Sequence, residues 1–261
     1  MSLELIASRW VPVFFLLLAR CSGVVALAPA FASAALPRML RVGLAGCLAL
    51  LLTPVVGDRL AVPATVLGLG AAVLGELTIG AVLGVAVRFL FAGISMASEM
   101  AAVQMGIGLP AALDPHSLSQ VSSVTNFIDQ VAILTFLAVG GHHALLAALA
   151  QSIVLAPPLT VSFRGTTLEF LVGLFGAALT VTIRLAAPIG AALLAMMVTL
   201  GLLNRVAPQV NVFMVSFPLT LGVGLLVLLA ALPMMVIVMS GAFQQLPGSL
   251  SALVVRVRHG F

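Results

Sequence analysis

Apolar runs separated by short polar breaks set the organisation of this chain. Val11–Ala19 is apolar, Arg20 interrupts, and Gly23–Leu36 is apolar again with Pro29 inside. Val42–Val56 follows, with Pro54 near its end, and closes at the polar Gly57-Asp58-Arg59. Val62–Met105 is far longer and carries only Glu76, Arg88 and Glu99 as charges. Then come Phe127–Ala156, broken at Gly140-Gly141-His142-His143, Leu168–Asn204 with Arg184 and Pro188 inside, and Val212–Phe243 with Pro218 and Pro233. A helix crossing a bilayer needs about 20 apolar residues. Val42–Val56 barely reaches that length, whereas Val62–Met105 exceeds it and must bend, project beyond the bilayer or form two helices. Pro218 and Pro233 are expected kinks. Gly80 and Gly84 form a GxxxG that permits close helix contact.

Two of the breaks are more than connectors. Gln104–Asn126 reads QMGIGLPAALDPHSLSQVSSVTN. Gly106, Gly108, Pro110 and Pro115 rule out a continuous helix there, and Asp114-Pro115-His116 with the following serines supplies turn chemistry. A loop of this length in a compact protein is usually functional or disordered. Its apolar first half, Met105–Leu113, suits a buried flap better than a solvated tail. The other break is Leu200–Pro218, LGLLNRVAPQVNVFMVSFP. Pro208 removes a donor and turns Ala207 away from helical geometry. A helix therefore ends near Asn204 and a new one starts by Val210. Arg205, Gln209 and Asn211 cannot be satisfied by lipid and must find protein or water. The segment is either a helix–elbow–helix at membrane depth or an extramembrane turn.

Composition places the whole chain in a membrane or a membrane-bound complex. Of its 261 residues, 62% are hydrophobic and 7% charged, too few polar groups to cover a soluble surface. All basic residues are Arg and occur singly or in pairs, so no basic stripe for a nucleic-acid partner can be assembled. Because they follow nearly every segment, they set no membrane orientation. Ala32-Ser33-Ala34 resembles a signal-cleavage site, but Glu4 and Arg20 argue for a retained first helix. Cys21 and Cys47 lack CxxC spacing and read as packing residues.

Catalytic signals are nearly absent. Without Lys there is no P-loop and no Schiff-base lysine, and neither HExxH nor GxSxG occurs. Adjacent histidines on a helix point about 100° apart, so His142 and His143 make a poor joint metal site. Neither an enzyme nor a cofactor or metal site is expected. The chain reads as a protein that forms, lines or gates a path through a membrane. A small-solute transporter with a site around Glu76, Arg184 and Arg205 is the rival class.

Gly201–Pro218 (GLLNRVAPQVNVFMVSFP) resembles the signature of the FliR family of type III export proteins, closer to its flagellar than to its virulence-secretion branch. Glu99–Gly106 (EMAAVQMG) followed by Asp114-Pro115, then Gly140-Gly141-His142, matches in the same order. So does the opening pattern of Arg20, Gly23, Pro29, Phe31, Pro37, Arg41 and Pro54. The resemblance implies an all-α, multi-helix export-gate subunit with kinked and broken helices. Residues 1–160 would be FliP-like and 165–261 a FliQ-like helical hairpin, within a single domain over 1–261. It implies the bacterial inner membrane and flagellar basal body, assembly with FliP-like and FliQ-like subunits, contact with an FlhB-like switch protein and with lipid, and unfolded flagellar proteins as cargo. The loop 105–123, with Met105, Gly106, Ile107, Gly108, Leu109, Pro110, Leu113, Asp114 and Pro115, would plug the pore. Pro110, Leu109 and Ala112 stand where relatives often carry aromatic residues. Asn204, Arg205, Pro208, Gln209, Asn211 and Pro218 would hold the elbow for packing against FliQ-like neighbours.

Overall fold

The computed structural model describes residues 3–32, 36–56, 65–107, 123–157, 165–206, 209 and 212–258. Among these the structure is all-α. The helices are α1 (Leu3–Leu27), α2 (Pro29–Ala32), α3 (Arg38–Val56), α4 (Val66–Gln104), α5 (Ser123–Ala138), α6 (Gly141–Leu155), α7 (Gly165–Val206), α8 (Val212–Gln244) and α9 (Leu246–Arg258). Five stretches of the described residues are long and apolar enough to cross a membrane: Trp10–Leu27, Arg38–Val55, Leu67–Gln104, Thr167–Val206 and Met214–Arg256. Helices α5 and α6 add a sixth if taken as one broken span.

Of the alternatives for the forty-residue run, the structure has one continuous helix, α4. At 1.5 Å per residue α4 is about 58 Å long, α7 about 63 Å and α8 about 50 Å, against a hydrocarbon core of about 30 Å. Each must tilt steeply or extend beyond the bilayer. Pro188 lies inside α7, and Pro218 and Pro233 inside α8, without ending either helix. Each proline removes one backbone donor, a loss that local readjustment and neighbouring groups can absorb in a long apolar helix. Helix α7 runs to Val206, two residues past the expected end at Asn204, and α8 starts at Val212 rather than Val210. Gly140 separates α5 from α6. Its φ of 77° is left-handed, which only glycine adopts without cost, and its carbonyl accepts the Ala144 N–H at 3.1 Å to start the new helix.

The helices divide between two compact units. The first comprises residues 1–89, 140–175 and 244–261. In it α1 packs on α3, and α9 packs on α6. Its centre is Arg20, which is fully buried, as is Glu76. The Arg20 guanidinium donates through Nε to Glu76 Oε2 at 2.6 Å, through Nη1 to Ser152 Oγ at 3.1 Å and through Nη2 to the Ala156 carbonyl at 2.9 Å. Ala156 follows the last residue of α6, so the cation also meets the negative end of that helix dipole. Ser152 Oγ in turn donates a hydrogen bond to the Leu149 carbonyl at 2.7 Å. One side chain thus ties α1 to α4 and α6.

That geometry requires α1 and α4 to touch through their backbones. A Cβ on Gly80 would overlap the Arg20 carbonyl oxygen, one on Gly23 would lie 2.6 Å from the Leu77 carbonyl oxygen, and one on Gly84 would lie 2.8 Å from Leu27 Cβ. The GxxxG expectation is therefore met, with α1 as the partner and Gly23 as the third glycine. Glu76→Ala strands a buried guanidinium and is expected to cost about 3–5 kcal/mol. In Arg20→Met/Glu76→Leu no charge is left unpaired, and most of that loss should return. Thermal unfolding of the purified protein in detergent reads both, and a Glu76→Ala variant as stable as the parent would show that the ion pair does not hold α1 to α4.

Candidate functional site

The second unit comprises residues 90–139 and 176–243, and it holds both ends of the loop singled out in the sequence. Helix α4 stops before that loop by a specific hydrogen-bond pattern. The Gly106 N–H donates to the Val103 carbonyl at 3.0 Å and the Ile107 N–H to the Ala102 carbonyl at 3.1 Å, with Gly106 at φ 82°. This is a Schellman cap, in which a left-handed glycine lets the chain turn back and satisfy the last carbonyls of the helix. The stop is therefore encoded at Gly106 itself.

Met105, immediately before that glycine, is fully buried and sits on Gly224 of α8. A Cβ at position 224 would lie 2.5 Å from Met105 Cγ and 3.1 Å from its sulfur. The Gln104 carboxamide lies against Gly190 of α7, its Oε1 3.4 Å from where a Cβ would stand. One turn-and-contact module therefore seats the end of α4 on two other helices. Further back, a Cβ on Gly93 would come 2.6 Å from the Ala178 carbonyl oxygen of α7. The Thr182 hydroxyl lies 2.8 Å from the Gly93 carbonyl oxygen and 3.0 Å from that of Ala178.

The chain returns through α5, whose Val124, Thr125, Ile128, Ala132, Thr135 and Phe136 are buried. Ser95 Oγ of α4 donates to Asp129 Oδ1 of α5 at 2.7 Å. Phe91, Phe136 and Phe243, from α4, α5 and α8, form a ring cluster with centroids 5.4, 5.2 and 5.3 Å apart. Aromatic pairs at such distances contribute on the order of 0.5–1.5 kcal/mol beyond their buried area. Both stems of the loop are thereby clamped to each other and to the same platform.

Of the residues predicted for the loop, Met105 is buried in the platform, and Gly106 and Ile107 form the cap that leads out of it. Gly108, Leu109, Pro110, Leu113, Asp114 and Pro115 lie outside the described residues. At the elbow, Asn204 and Arg205 occupy the last turn of α7 and are exposed, where the cation complements the helix dipole. Gln209 is an exposed turn residue, Pro218 is exposed on α8, and Pro208 and Asn211 lie outside the described residues. No hydrogen bond or ion pair among the described residues joins the elbow to the loop stems. Arg184 is exposed on α7. The His142 and His143 rings lie 4.0 Å apart at 37°. Cys21 is buried and Cys47 exposed, both as free thiols. Among the described residues no group of three or more His, Cys, Asp or Glu is placed to hold a metal ion.

Sequence reasoning missed Gly224, Gly190 and Thr182. Gly224 stands beyond Gly222 in a uniformly apolar helix, and nothing local distinguishes a glycine that receives a methionine from one facing open space. The Arg20–Glu76 pair did carry a signal. Arg20 is a lone charge between apolar runs, and Glu76 is one of three charges in a long apolar run and of opposite sign.

Comparison with known proteins places the chain in a family. The model of a family described as "Bacterial export proteins, family 1" matches residues 11–246. The chain is 31% identical over 226 residues to a flagellar biosynthetic protein FliR of Pectobacterium carotovorum subsp. carotovorum, covering 87% of this chain and 86% of that one. It is 30% identical over 234 residues to FliR of Escherichia coli (strain K12), covering 86% of each. The chain belongs to the FliR family of bacterial export proteins. The matched residues of this FliR-family chain include the Arg20–Glu76 pair, the loop with both stems, and the elbow.

Gly224→Leu is expected to displace Met105 and to cost about 1–3 kcal/mol through overpacking. Adding Met105→Ala should return part of that stability by making room. Limited proteolysis within residues 108–122 of the purified protein checks this: faster cleavage in Gly224→Leu, slowed again in the double variant. Equal cleavage in all three would mean that Met105 does not seat the loop.

Proposed function

We propose that this chain is a subunit of the flagellar type III export gate in the bacterial inner membrane, where it helps to form and close the channel for unfolded flagellar proteins. The observation that carries the reading is the clamped loop. A segment between α4 and α5 has stems locked by a Schellman cap, a methionine seated on a glycine and a Ser95–Asp129 hydrogen bond, in a chain similar over most of its length to flagellar biosynthetic proteins. A stopper needs a fixed base and a displaceable tip. An apolar tip that includes Leu109 and Leu113 closes a pore to ions because an apolar constriction sheds its water.

Residues 1–160 are read as FliP-like and residues 165–261, which include α7 and α8, as a FliQ-like hairpin, all within one export-gate domain. The exposed apolar side chains of α7 and α8, among them Leu194, Met197, Val198, Leu226, Leu229 and Ile237, support neighbours on these helices. FliP-like and FliQ-like subunits and an FlhB-like switch protein are the partners inferred. The role is that of a path-forming component, not an enzyme. The curated relatives carry flagellar names, which favours that system over virulence secretion, and a self-sufficient small-solute transporter is not favoured.

Deleting Gly106–Leu113 in cells that express the whole gate should raise ion leakage severalfold. Unchanged conductance would remove the plug role. Replacing Arg205, Gln209 and Asn211 together by Ala should lower the recovery of FliQ-like subunits with the tagged chain. Full recovery would show that the elbow does not mediate assembly.

A further inference from the structure

The first unit contains a second feature that the export-gate reading does not use. A cavity of about 370 Å³ is lined by Ala26, Leu27, Pro29, Ala32, Arg41 and Arg88. Two guanidinium groups from different helices face one space, and no carboxylate is among the described residues that line it. Arg41 donates through Nε and Nη2 to the Leu36 carbonyl, at 3.2 and 2.9 Å, which fixes its position at the start of α3. Arg88 is exposed on α4. The acids of α4 stand more than two turns away from Arg88: Glu99 lies towards its C-terminal end, and Glu76, towards its N-terminal end, is engaged by Arg20.

The cavity lies where three apolar spans meet their polar edges. The span in α1 ends at Leu27 and the span in α3 begins at Arg38. Along α4, Val87 is about 30 Å from Leu67 at 1.5 Å per residue, one hydrocarbon thickness. Arg88 therefore stands at the boundary of a first full span within a helix too long for one. Arginine at such a level turns its charge toward the headgroups and keeps its stem on apolar surface. A planar guanidinium matches a phosphate with two parallel hydrogen bonds, and basic pockets between membrane helices take anionic headgroups. Ala26, Leu27 and Ala32 give the cavity an apolar wall, and Met39, Leu40 and Val42 of α3 are exposed beside it. Free phosphate has no use for that surface, whereas an acyl chain does.

We propose that this cavity binds the phosphate of an anionic phospholipid, with Arg41 and Arg88 as its ligands and the exposed start of α3 as the support for an acyl chain. The site fixes the level at which the first unit meets the membrane surface. It holds whether or not the loop is a plug.

The test is native mass spectrometry of the full chain, co-purified with its partner subunits in mild detergent and titrated with phosphatidylglycerol, phosphatidylcholine or inorganic phosphate. The parent should retain phosphatidylglycerol in preference to phosphatidylcholine. Arg88→Gln, which removes an exposed side chain and should fold normally, is expected to weaken that retention roughly ten-fold, the loss of one charge-assisted contact. Arg41→Gln/Arg88→Gln should weaken it further, Arg88→Lys should retain most of it, and Arg256→Gln, an equal change of charge elsewhere, should leave it unaltered. Equal binding of the two lipids, or Arg88→Gln binding like the parent, would overturn the proposal. Inorganic phosphate that displaces the lipid at equal concentration would reduce the site to a plain anion site and also overturn it. Loss of partner subunits from Arg88→Gln with lipid retention unchanged would assign the two arginines to an acidic side chain of a neighbour instead.

Discussion

A guanidinium with no access to water or lipid is the constraint around which the first unit is arranged. A charge in hydrocarbon costs several kcal/mol unless it is paired and its remaining donors are satisfied. Arg20 meets that demand through a carboxylate, a hydroxyl and a helix-terminal carbonyl drawn from two other helices. These partners are single groups at fixed positions, so α1 cannot slide against α4 or rotate against α6 without stranding the charge. In a chain of such uniform apolarity, where one greasy face packs nearly as well as another, a polar requirement of this kind supplies register.

Glycine makes the requirement geometrically possible. Side chains on α1 and α4 would hold the helices too far apart for Arg20 to stay wholly inside, and at Gly23, Gly80 and Gly84 a Cβ would collide with the opposing helix. In lipid the association of helices is driven by packing and hydrogen bonding rather than by exclusion of water, and backbone contact maximises both. The second unit solves its own problem in the same way at Gly93, which meets α7, and at Gly224, which receives Met105. Many other glycines face open space, among them Gly43, Gly46, Gly173 and Gly201.

The loop between α4 and α5 leaves from and returns to a packed base. Its stems are satisfied on their own account: the α4 carbonyls by Gly106 and Ile107, the Asp129 carboxylate by Ser95, and the aromatic faces of Phe91, Phe136 and Phe243 by one another.

The helical class, the membrane environment, the break at Gly106, the turn at Gly140 and the break between α7 and α8 were all legible in the residue pattern. Each rests on local physics: apolar length against bilayer thickness, a glycine's left-handed backbone, a proline's missing donor. Length alone did not decide whether the run that became α4 is one helix or two, and α8 continues through prolines 218 and 233. What tertiary structure alone decided was pairing: Arg20 with Glu76, Met105 with Gly224, Thr182 with Gly93, Arg41 with Arg88. These partners stand between 47 and 119 residues apart in the chain. A sequence of nearly uniform hydrophobicity specifies that its helices will be buried or lipid-facing, but a hydrophobic face has no direction of its own, and only close-packed three-dimensional contact selects which small residue admits which neighbour.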